Sequence, residues 1–311
     1  MRVAFFDPVS GLSAEMVLGA LIDVGVPLES LRAELYKLPL AGFSFDLAKA
    51  LRQGVTGTYL EVSTGPGSLN GAAQLTGRLG RHNLAPPPNT SVDVAAMLRM
   101  ILGSSLPAPV QQASVKVLRK LAETETELAA LHRQNGHNGQ NGHANAVWSV
   151  ETLVQVVGTM SALNMLGVNR VDCAAFGVGC DYDSLPPRDR LGIALLRRTL
   201  RACDENKIDK GYVTLTGAAI MVSIVTTFGR IPTMRIDGVG YGATSTAEPG
   251  RSGLIRVLVG DTTARPTDES QTTIPLVLTP TNGHPATPPA DTLAASSHQQ
   301  SGRHRLLKRD T

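Results

Sequence analysis

Residues 2–6, RVAFF, are a short apolar run ending at Asp7 and Pro8, the pattern of a buried strand that enters a turn. Ser13 then opens SAEMVLGALIDVG, where Met16, Leu18, Ala20, Leu21 and Val24 predict a helix with a broad apolar face. Gly25 is placed to stop that helix, and Pro27 to start a second, PLESLRAELYKL. Residues 43–50 and 57–63 alternate or carry β-branched side chains around Gly54 and Gly57, which predicts two tightly connected strands. Residues 64–90, rich in Gly, Asn and Pro, read as a mobile loop. From about Pro109 to His132, apolar positions recur at helical spacing. A second mobile loop, at about 133–146, follows before the apolar helix of 147–167. VNRVDCAAFGVG reads as a strand running into a glycine loop, and residues 189–203 as helical. TLTGAAI (214–220) begins another helix with Thr216 as its expected cap. IPTMRI and LIRVLVG read as late strands separated by a connection, DGVGYGATSTAEPGRSG. Past Gly260, Thr, Pro, Ser, Gln and His dominate, and 261–311 is expected to be a disordered polar tail. The expectation is an α/β or α+β body over 1–260: a mixed sheet with packed helices.

Composition narrows the function classes. The chain has 311 residues, 42% hydrophobic, enough for a sizeable core. Its net charge of +3 is the small excess of 29 basic over 26 acidic residues, and only 4% are aromatic. Neither a cationic surface nor a base-stacking platform for nucleic acid follows. The three cysteines, Cys173, Cys180 and Cys203, form no CxxC pair and no even disulfide framework. No basic-then-apolar leader opens the sequence, and no window approaches the roughly 18 apolar residues of a membrane span. A cytoplasmic protein without membrane contact is expected.

Several segments carry candidate chemistry, each with a plainer alternative. In FFDPVSGLSAEM (5–16), Asp7 stands at a strand end where it can hold a metal. Ser10, Gly11 and the following helix terminus can cradle an anion, or Asp7 and Ser10 can simply satisfy turn and cap donors. The Gly/Thr turn of TLTGAA, with Thr214, Thr216 and Gly217, can bring backbone N–H groups to a phosphate, as can GVGYGA (238–243). His132, His137 and His143 offer imidazoles for nickel, zinc or copper, or belong to a solvated Asn/Gly insertion. Cys173 and Cys180, near Asp181 and Asp183, can share a metal or be small buried residues. No full dinucleotide or P-loop pattern, catalytic triad or HExxH site can be assigned.

The ordered set of segments resembles one family. FFDPVSGLSAEMVLGALIDVGV is similar to the opening pattern YFDxxSGISGDMxLGALxDLG of the LarC-type nickel insertion proteins. GVTGTYLEV (54–62) resembles their next strand, VETLVQVVGTMSALNMLGVNRV (150–171) their VDSIVDIVG helix, and VTLTGAAI (213–220) their VTPTGAAL. GVGYGATSTAEPGRSGLIRVLVGD (238–261) resembles their GxGYGA segment and final strand. The resemblance implies insertion of nickel into a pyridinium bis-thiocarboxylate mononucleotide, with CTP and a divalent cation, to give the nickel-pincer nucleotide used by lactate racemase. It implies a nickel chelatase, a cyclometallase of the lyase class, if activity is retained.

The chain departs from that pattern at polar positions. Glu15 replaces an Asp and Ala14 a Gly, while Glu151 and Gln155 stand for two Asp. The family's HxHEVGA segment aligns with Asn145 to Ser149, with Trp148 at its glycine. The resemblance gives Asp7, Glu15, Glu151 and His143 as the expected metal set, with His143 replacing a lost family histidine. Ser10, Gly11, Thr214, Thr216 and Gly217 are the expected phosphate and substrate set. Because the resemblance ends near residue 260, the family's CTP-handling C-terminal domain is expected to come from a partner chain; homo-oligomerisation is a further possibility. The alternative expectation is an inactive paralogue acting as a binding or regulatory protein.

Overall fold

A computed structural model describes residues 1–40, 43–52, 54–64, 91–92, 94–134, 148–177, 192–196, 203–204, 212–245 and 253–262. They belong to one compact unit, Met1–Gln271. In chain order the elements begin β1 (Arg2–Asp7), β2 (Gly11–Leu12), α1 (Ala14–Asp23), α2 (Leu28–Leu35), β3 (Phe43–Arg52) and β4 (Val55–Thr64). Next come β5 (Ser91–Val92), α3 (Val94–Leu102), α4 (Ala108–Gln134), β6 (Trp148–Ser149) and α5 (Val150–Met165). After β7 (Arg170–Cys173), β8 (Phe176–Gly177), β9 (Cys203–Asp204) and β10 (Tyr212–Val213) comes α6 (Leu215–Ile224). The last strands are β11 (Val225–Phe228), β12 (Arg235–Ala243) and β13 (Leu254–Asp261).

Seven strands form one mixed sheet in the order β11-β7-β1-β13-β12-β4-β3. β1 lies parallel to β7 and antiparallel to β13. Val3, Ala4, Phe5 and Phe6 are all buried, because a central strand covered on both faces needs an unbroken apolar run rather than alternation. This is the expected α/β class. The β3–β4 hairpin turns at Gly54, whose φ of +80° suits a glycine in so short a connection.

Helix α1 begins where Ser13 Oγ accepts the Met16 N–H at 3.1 Å, and it packs against β12, β4 and α5. Its approach to the sheet is unusually close. A Cβ on Gly242 would lie 1.7 Å from Met16 O, one on Gly240 2.2 Å from Ala20 O, and one on Gly19 2.1 Å from Thr58 O. Asp23, at the helix end, accepts the Thr58 hydroxyl at 2.6 Å and the Tyr241 N–H at 2.9 Å. A second helical layer follows: α5 packs on α1, and α4 on α5 and α6. Lys116 of α4 donates to Ser223 O at the end of α6, at 2.6 Å.

Three readings of the sequence are corrected. DGVGYGA is strand, not connection: Gly238, Gly240 and Gly242 alternate toward α1, where only a missing Cβ fits. Thr214, not Thr216, caps α6. Val94–Leu102, left unassigned, is helical and buries Met97 and Ile101. β13 continues through Asp261, and Thr262 is buried and hydrogen-bonded to Met1. The tail from 263 lies outside the described residues, as do 65–90 and 135–146 of the two expected loops. Among the described residues no helix is long and apolar enough to cross a membrane.

Candidate functional site

The first strand delivers Asp7 to the sheet's end, beside β13. There its carboxylate meets Arg256 Nη2 at 2.5 Å. Burial works against the Arg256 charge, but Asp7 and Tyr241 outweigh it and hold the guanidinium pKa above its ordinary value. Asp7 is therefore matched by a cation of the same sheet.

Ser10 follows in the turn and is buried. Its N–H donates to Leu254 O and its hydroxyl accepts the Leu254 N–H, both at 3.1 Å, which seats the turn on β13. Gly11 and Leu12 then pair in parallel with Tyr212 and Val213. This two-residue ladder sets the amino ends of α1 and α6 side by side. Thr214 N–H donates to Leu12 O at 2.8 Å, and Thr214 Oγ1 accepts the Gly217 N–H at 3.1 Å. Gly217 lies so close that a Cβ would stand 2.9 Å from Ser13 Cα. Thr216 is half-buried in the first turn of α6. The two motifs weighed separately in the sequence thus form one unit. Orphan first-turn N–H groups and the helix dipoles give such a unit positive polarity.

Helix α5 has its own cap, Ser149 Oγ accepting the Thr152 N–H at 3.2 Å. Glu151 stands in its first turn, exposed, accepting the Gln155 amide at 3.1 Å. Glu15 occupies the corresponding first turn of α1, half-buried, and accepts the Ser245 N–H at 3.0 Å. Its pKa is pushed up to about 7. Burial is the largest cause, hydrogen bonds from Ser245 oppose it, Glu151 repels the charge and raises it further, and Arg52 lowers it. Glu15 and Glu151 are therefore electrostatic neighbours on adjacent helix starts. Two carboxylates so placed gain from a shared proton or a shared cation.

Of the four expected metal residues, Glu15 and Glu151 stand in the first turns of α1 and α5, where Glu151 acts electrostatically on Glu15, and Asp7 pairs with Arg256. His143 lies outside the described residues, as do His137, Cys180, Asp181 and Asp183. His132 sits near the end of α4, and Cys173 is fully buried on β7. Among the described residues no group of three or more His, Cys, Asp or Glu could hold a metal ion. Sequence reading missed Arg52 and Ser245. No spacing rule links them to Glu15, because Ser245 reaches it across 230 residues of chain and Arg52 reaches the same turn, at Thr244, across 192.

Comparison with known proteins gives concordant matches. The family model described as "Nickel insertion protein" matches residues 4–281. A protein of Citrifermentans bemidjiense, provisionally named a nickel insertion protein, is 32% identical over 268 residues, covering 85% of this chain and 62% of its own. One from Geobacter sp. (strain M21), named in the same way, is 32% identical over 266 residues, 84% of this chain and 62% of its own. The pyridinium-3,5-bisthiocarboxylic acid mononucleotide nickel insertion protein of Geobacillus kaustophilus is 27% identical over 268 residues, 85% of this chain and 61% of its own. The chain thus spans about three fifths of the length of these relatives. No solved structure matches it.

Proposed function

The chain belongs to the nickel insertion protein family, and on that premise we propose that residues 1–260 bind nickel as cargo and present it to a pyridinium bis-thiocarboxylate mononucleotide. Glu15 and Glu151 are the protein's ligands, with His143 as the expected third. The observation that supports this reading is that Glu15 and Glu151 stand in the first turns of two helices that pack on each other, with Glu15 half-buried, held by the Ser245 N–H and repelled electrostatically by Glu151. A divalent cation would displace that proton and relieve the repulsion. Carboxylates suit nickel less well than sulfur, so a site with few of them releases the ion readily to the thiocarboxylates of the substrate. Looseness is useful where the metal must leave.

The phosphate is assigned to the paired amino ends of α1 and α6, at Ser10, Gly11, Thr214, Thr216 and Gly217. Support comes from their convergence through the β2–β10 ladder and from the orphan amides of the first turns. CTP and a divalent cation are assigned to no described residue of this chain, and a cytoplasmic site of action fits this chemistry. The second reading, a binding or regulatory paralogue, draws on the pairing of Asp7 with Arg256, which takes one expected ligand away.

Incubation with nickel and the dithiocarboxylated pyridinium mononucleotide, with and without CTP, magnesium and a full-length relative disabled in its own amino-terminal region, separates the two. The nickel-insertion reading predicts a nickel–pyridinium adduct by mass spectrometry in at least the complemented reaction. Nickel bound but never transferred would favour the paralogue.

A further inference from the structure

The edge hairpin reaches the carboxylate of α1 through a short chain of polar contacts. Arg52 is the last residue of β3, anchored by the tight turn at Gly54. Its Nη2 donates to Thr244 O at 2.7 Å and to Ser245 O at 3.4 Å, and Nη1 to Leu51 O at 3.1 Å. The Ser245 N–H in turn donates to Glu15 Oε1. Thr244 is held from the other side, its N–H on Gly253 O at 3.0 Å. There is no slack at that contact: a Cβ on Gly253, whose φ is +55°, would meet Thr244 Oγ1 at 2.4 Å.

We infer that Arg52 is a positioning residue for Glu15: its Nη2 holds the two carbonyls of the 244–245 turn while its Nη1 is tied to its own strand, so that the Ser245 amide sets the direction of the Glu15 carboxylate. The planar guanidinium holds the turn with one nitrogen and Leu51 O with the other, and lysine, with its single nitrogen, can retain the charge but not that geometry. The guanidinium also lies in the electrostatic field of Glu15, as the only cation among the groups that shift it; the others are Ser245 and Glu151. Arg52 itself need not touch the metal.

The inference rests on the reading that Glu15 holds nickel, and its test keeps the two apart. Nickel isotherms are recorded for the full chain, Arg52→Met, Arg52→Lys, Glu15→Gln and the Glu15→Gln/Arg52→Met pair. Loss of an outer-sphere orienting partner commonly weakens metal binding by about 10-fold or more. Arg52→Met should show that loss, Arg52→Lys should recover part of it, and in the Glu15→Gln background Arg52→Met should add nothing. An equal loss in both backgrounds, or none in the first, overturns the inference while leaving nickel binding intact. If the unaltered chain binds no nickel, the functional reading falls, and amide exchange at Ser245 decides the linkage. Faster exchange at Ser245 in both Arg52→Met and Glu15→Ala, with core amides unchanged, upholds it; unchanged Ser245 exchange overturns it.

Discussion

The two parts of α1 ask opposite things of their residues. From Met16 to Asp23 the helix lies against β12 and β4 so closely that glycine is required on both sides, at Gly19, Gly240 and Gly242. Here the close approaches are made to backbone, and the one carboxylate, Asp23, is consumed in binding the sheet. In the first turn, one residue before Met16, Glu15 sits where burial disfavours its charge and Glu151 repels it. The packed stretch gives stability and leaves no room for chemistry. The first turn gives up stability by holding a carboxylate where its charge is disfavoured, the place at which we propose that a cation binds. Asp7, only eight residues earlier in sequence, is paired with Arg256 of the same sheet.

Substitutions can break or sharpen that contrast. The largest effect is expected at Gly242. In Gly242→Val the new side chain would begin inside the van der Waals shell of Met16 O, so folding should be lost, at a cost of more than about 4 kcal/mol. Circular dichroism and limited proteolysis report it; a native-like melt would show that helix and sheet are not so close. Next comes Asp7→Ala, which strands a partly buried guanidinium. It should cost about 1–2 kcal/mol, well below the penalty of a fully buried pair, and leave nickel affinity unchanged. A large change in nickel affinity would move Asp7 to the chemical side.

Glu15→Gln should act in the other direction and more weakly. The folded pKa of about 7 stands above the carboxylate's ordinary value of 4.5. Between those limits the folded state binds more protons than the unfolded state. Stability therefore falls as pH rises from about 4.5 through 7, and the loss is complete above it. Removing the charge should raise stability at pH 8 by on the order of 1 kcal/mol, discounted for the partial exposure of Glu15, and leave it nearly unchanged at pH 4. Urea melts at the two pH values check the sign. Stabilisation of equal size at both would assign the effect to packing.

Much of this divide was legible in the sequence, though not all of it. RVAFFD and SAEMVLGALID declare a buried strand and a capped helix through apolar spacing and Ser13 alone. GVGYGA misled, because alternating glycine looks like a turn until the helix that lies on it is known. VTLTG could be recognised as a helix start, but its partnership with SGLS is tertiary, made by two strand pairs. Glu15 and Glu151 were found through family resemblance. That one of them is half-buried, and held by an amide from the far end of the chain, is a property of packing with no local signature.

The central claim is that the carboxylates on the neighbouring starts of α1 and α5 hold nickel. It is tested most directly by titrating nickel into the chain, Glu15→Gln and Glu151→Gln by calorimetry at pH 8 and pH 6. The account predicts one saturable site weakened by either substitution, and weaker at pH 6 than at pH 8 in the unaltered chain, where protons compete for Glu15. Nickel binding indifferent to both substitutions and to pH would contradict it.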